Sequence, residues 1–71
     1  MKVIAKKEFQ VIRIQEGYSI SELAKKSNTP VATISRIEKG KPLSPKSAKK
    51  LCEALQKDFG DLFKIENEED A

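Results

Sequence analysis

The side chains here that could do chemistry are cations and hydroxyls rather than nucleophiles. Cys52 is the single cysteine, and the chain has no histidine to activate it. Thiolate chemistry and metal ligation need partners of that kind. No phosphate-cradling glycine loop and no nucleophile–base pair can be assembled, so the expectation is a protein that is not an enzyme and carries no cofactor or metal. What remains is recognition of anions and base edges. An arginine fork can donate to guanine O6 and N7 together, while lysines and hydroxyls suit phosphate oxygens. Residues 1–64 hold all 14 Lys and Arg against 7 Asp and Glu, a net +7, and residues 65–71 hold the other 4 acids, a net −4. A basic body with a short acidic tail suits a polyanion-binding domain.

Such groups discriminate only when rigid elements hold them, and the stretch Ser19–Lys41 reads as helix, tight turn, helix. Ser19 with Glu22 three residues on forms a capping box, and Tyr18 with Leu23 can form the accompanying hydrophobic staple. Ile20, Leu23 and Ala24 share one face, while Glu22, Lys25 and Lys26 face water. The pattern breaks at Ser27-Asn28-Thr29-Pro30. Asn tolerates the left-handed conformation, Thr is a good N-cap and Pro suits the first helical position. Val31, Ile34 and Ile37 then repeat at helical spacing, and Gly40 ends the second helix. Two short helices joined in this way describe a helix-turn-helix, whose second helix often enters the DNA major groove.

Glu22-Leu23-Ala24, the turn at Asn28, Ile34-Ser35, Ile37-Glu38 and the closing Gly40-Lys41 together resemble the lambda-repressor-like helix-turn-helix family, the small phage repressor, Cro and XRE-type regulators. The resemblance covers roughly residues 5 to 63. It implies an all-α, compact five-helix fold and sequence-specific binding of double-stranded DNA, usually as a dimer. Ala24 falls where the two helices approach closest. In the resembling family an Arg late in the first helix pairs with a Glu near the end of the recognition helix, and Arg13 and Glu38 stand at those positions. A bidentate pair would orient that helix, whereas two separately solvated charges would not.

Carried over by motif position, the resemblance places Val31, Ala32, Ser35 and Arg36 near the groove floor and Thr33 toward its wall. Arg36 is the best direct reader, and Val31 and Ala32 can only pack on thymine methyls. Phosphate contacts are expected from helix N-termini and nearby polar groups, namely Ser19, Thr29, Thr33, Lys39, Lys41 and Ser44. The chain departs from the family at three places. Ile20 stands where Gln commonly braces the recognition helix, Val31 and Ala32 where Gln or Asn commonly read bases, and Gln56 where Gly is frequent. The base code is therefore thin, and an apolar entrance to the recognition helix could also dock a protein.

Outside the motif, Lys2–Glu16 reads as the first helix, with Val3, Ala5, Phe9 and Ile12 inward and Gly17 as its stop. Val11 and Ile14 lie off that stripe, as solitary exposed aliphatics or as part of a partner surface. Ser44-Pro45 starts a fourth helix, in which Ala48, Leu51, Cys52 and Leu55 repeat, so Cys52 is most simply a small core residue. Asp58 can cap a last helix through Phe59, Leu62 and Phe63. Leu55, Phe59, Leu62 and Phe63 would either form the dimer or partner surface or fill the monomer's core. Residues 1–64 are thus expected to form one helix-turn-helix domain, and residues 65–71 an acidic, disordered tail.

The start MKVIAKKEF lacks a signal peptide's apolar stretch, no apolar run is long enough to span a membrane, and the lone cysteine suits a reducing cytoplasm. A chain of 71 residues leaves no room for a ligand-sensing domain, so no small-molecule ligand is expected. Two functions follow: a repressor- or Cro-like transcriptional regulator, or an anti-repressor or modulator that binds another helix-turn-helix repressor protein.

Overall fold

The computed structural model describes residues 1–66. The chain runs β1 (Lys2–Ala5), α1 (Lys7–Gln15), α2 (Ile20–Ser27), α3 (Val31–Glu38), α4 (Pro45–Leu55), α5 (Phe59–Leu62) and β2 (Phe63–Glu66). The five expected helices are present, and a two-stranded antiparallel sheet joins the two ends of the described chain, with Val3 opposite Ile65 and Ala5 opposite Phe63.

The sheet corrects the first helix, which begins at Lys7 rather than Lys2. Val3 and Ile4 are β-branched, and a strand suits them better than a helix. The pairing with distant parts of the same chain that holds them extended, with β2 on one side and a bridge to Leu43 on the other, leaves no local signature. Phe63 likewise leaves the last helix. It is extended (φ −132°, ψ 164°) and opens β2. The strand crosses the expected boundary after residue 64, since Ile65 and Glu66 pair with Val3 and Lys2. The rest of the expected tail, residues 67–71, lies outside the described residues.

Four helices end in the same way. The amide of the residue just after a left-handed one returns to a carbonyl in the last turn: Tyr18 to Arg13 (3.1 Å), Thr29 to Ala24 (3.0 Å), Lys41 to Arg36 (3.1 Å) and Lys57 to Cys52 (3.0 Å). This closure needs a left-handed residue just beyond the helix. Gly17 and Gly40 supply it at φ 85° and 92°, Asn28 and Gln56 at φ 55° and 56°. The sharp bend after α4 is therefore kept although no glycine stands there.

Phe9, Leu23, Ile34, Leu51 and Leu62 are wholly buried at the centre of the core. Phe63 stacks at a tilt on Phe9 and on Phe59, with ring centroids 5.5 and 5.6 Å apart. Leu55, Leu62 and Phe63 are at most 2% exposed, so they fill the monomer and cannot supply the dimer surface expected of them. Of that set only Phe59, at 37%, reaches solvent. Cys52 is half-buried against the core. Burial, with Asp58, Asp61 and Glu53 nearby, raises its thiol pKa and favours the neutral form.

Candidate nucleic-acid interface

α2 and α3 form the two-helix unit, and each of its boundaries has an identifiable cause. The Ser19 hydroxyl accepts from the Glu22 amide at 3.1 Å, and the Ser19 amide donates to Glu22 Oε1 at 2.9 Å, closing the capping box. The hydrogen bonds from the backbone and hydroxyl of Ser19 lower the Glu22 pKa, favouring the carboxylate. Asn28 turns the chain left-handed, and Pro30 occupies the N-cap of α3. Ala24 is buried in the same core cluster as Leu23, Ile34 and Ile37, and a side chain this small suits a close approach of two helices. Ile20 packs half-buried on the core. It braces the unit by apolar contact, and its side chain has no donor for a phosphate.

Behind α3, Arg13 Nε donates to Glu38 Oε2 at 2.6 Å and Nη2 to Glu38 Oε1 at 3.2 Å, while Nη1 donates to the Tyr18 carbonyl at 2.8 Å. Both side chains are only 8% exposed. One guanidinium thus ties the end of α1, the turn after it and the end of α3 together. The Tyr18 carbonyl has no sequence signal, because only the left-handed turn at Gly17 brings it round.

In front, Val31, Ala32 and Arg36 are exposed on α3, with Ser35 and Thr33 half-buried at the margin. Lys39 and Lys41 follow the helix and are exposed. Ser44 caps α4, accepting from the Ser47 amide at 3.1 Å and donating to the Ser47 hydroxyl at 3.1 Å. Thr29 departs from its expected place. It is 5% exposed, and its hydroxyl donates inward to the Ser27 carbonyl at 3.3 Å. Its side chain neither caps α3 nor faces a ligand. With Pro30 at the cap and no side-chain hydrogen bond there among the described residues, the Val31 and Ala32 amides stay open to an anion, while the Thr33 amide already donates to the Pro30 carbonyl at 3.0 Å.

A short helix braced from behind by a buried ion pair, with an exposed Arg and two following lysines in front, is the geometry of a helix-turn-helix DNA-binding domain. Residues 10–62 match the helix-turn-helix family model. The chain belongs to that family, of the XRE-type, lambda-repressor-like kind, which is DNA-binding and not enzymatic. A comparison with curated proteins returns no match. Among the described residues no helix is long and apolar enough to cross a membrane, and no group of three or more His, Cys, Asp or Glu could hold a metal ion.

Proposed function

We propose that the protein is a transcriptional regulator of the repressor or Cro kind, acting in the cytoplasm as a homodimer that occupies an operator with α3 in the major groove. The exposed face of α3 carries this reading. Val31, Ala32 and Arg36 face solvent on a helix anchored by buried Ile34 and Ile37 and by the Arg13–Glu38 pair. Arg36 reads a guanine through two parallel hydrogen bonds, and Val31 and Ala32 pack on neighbouring thymine methyls, with Ser35 beside them. Ser19, Thr33, Lys39, Lys41, Ser44 and the open amides of α3 hold phosphates and set register.

Selection of bound duplexes from a random library, followed by affinity titration, tests the proposal. A single preferred sequence with a guanine in each half-site is expected. Arg36→Ala should then lose about 1–3 kcal/mol, with preference relaxed mainly at that guanine. An operator affinity unchanged by Arg36→Ala would remove the base-reading role.

The second reading, a modulator that binds another helix-turn-helix repressor, is favoured by Val11 and Ile14 on α1. They are 52% and 60% exposed and stand one helical turn apart on one face. Titration with a partner repressor separates the two readings, since Val11→Ser with Ile14→Ser should weaken only a protein complex.

A further inference from the structure

We infer that the free edge of β2 is a self-association surface, at which a second copy of this chain adds its own β2 antiparallel across a two-fold axis at Ile65. The inference rests on the dimeric reading above and gives it an interface.

The backbone supplies the first observation. The Leu43 amide donates to the Val3 carbonyl at 3.0 Å, so the main-chain groups of Val3 point toward Leu43 and away from β2. Val3 and Ile65 are directly opposite, and they must therefore be a non-hydrogen-bonded pair of the antiparallel ladder. In such a pair both residues aim N–H and C=O outward. Those of Ile65 point to the open side of β2, where no backbone hydrogen bond reaches them among the described residues. An Ile65 amide and carbonyl facing the same groups of a second copy can exchange two hydrogen bonds about a two-fold axis.

The side chains agree with that register. Pairing Ile65 with Ile65 sets Lys64 of each copy opposite Glu66 of the other, so both flanking pairs join opposite charges. Lys64 and Glu66 are 53% and 45% exposed and already attract within one chain at 3.9 Å. On the other face Ile65 is 56% exposed and Met1 85%. Ile65 lines an apolar groove of about 390 Å³ with Met1, Val3, Pro42, Leu43 and Pro45. A second Ile65 side chain lands beside this groove, because side chains of directly paired residues lie on the same face of a sheet. An unpaired edge strand bearing an exposed aliphatic residue invites such pairing.

The test uses the full chain and two single charge reversals, Lys64→Glu and Glu66→Lys. Sedimentation equilibrium should find the wild type dimerising. Each reversal sets like charges opposite at both flanking pairs and should weaken self-association by about tenfold. Mixing the two variants should return a 1:1 heterodimer with affinity near that of the wild type, because each strand then meets its charge complement. No effect within one chain can give that restoration, and matched melting curves check that both variants fold. If the wild type dimerises but neither reversal matters, or the mixture stays weak, the β2 interface is wrong and the dimeric reading stands. If the wild type is a monomer both free and on its operator, both are overturned.

Discussion

Arg13 shows how much one buried side chain can organise. Its guanidinium makes three hydrogen bonds, two to Glu38 and one to the Tyr18 carbonyl, and they link α1 to the recognition helix. Replacing Arg13 by Ala leaves a carboxylate and a carbonyl without their donor in a largely dry site, at a cost of roughly 1–3 kcal/mol. An exposed lysine deleted elsewhere should stay within about 0.5 kcal/mol. In a domain of this size each kcal/mol moves the melting temperature by about 4–8 °C, so the difference is readily measured. Arg13→Ala, Glu38→Ala and the double variant form a cycle, and a coupling near zero would show that the two charges act independently. The pair was legible from motif register, because Arg13 and Glu38 stand at matching family positions. The inward turn of Thr29 was not, because a threonine before a proline can cap a helix or hydrogen-bond backward, and packing selects between them.

At the scale of the element, the C-terminal closures of the helices carry the sharpest stability forecast. Gln56 sits at φ 56°, ψ 46°, where a β-carbon costs about 1–2 kcal/mol. Part of any gain from glycine is returned through the greater freedom of the unfolded chain. Gln56→Gly should therefore stabilise the protein by about 0.5–1 kcal/mol, read as a higher urea midpoint with an unchanged slope. The same change at Glu53, inside α4, should destabilise by about 1 kcal/mol. A loss of stability at Gln56 would mean that its side chain makes a compensating contact. Helix identity was easy to read because caps, stops and the 3.6-residue period are local. The strands were not, since each is four residues long and exists through a partner about sixty positions away in sequence.

For the whole molecule the governing quantity is charge. The net +7 of residues 1–64 makes binding to a duplex a counterion-release process, so affinity should fall steeply with salt, by a slope of about 0.9 per phosphate neutralised. Lys41→Ala is the cleanest probe. The Lys41 amide already closes α3, so the substitution removes an exposed ammonium without disturbing that backbone contact. It should weaken all duplexes about equally and make the salt slope shallower by about 0.9. A loss confined to one operator, with the slope unchanged, would contradict a phosphate role.

Periodicity, capping residues and charge placement were enough to define five helices, the paired α2 and α3, and a basic surface, because each of these depends on neighbours within a few residues. Long-range contact was needed to turn Lys2–Ala5 from helix into strand, to carry β2 past Lys64, and to draw Leu55, Leu62 and Phe63 into the monomer core. A strand needs a partner for its backbone amides, and an apolar side chain is covered only by whatever the fold brings against it. Neither condition is written in the residue's own stretch of chain.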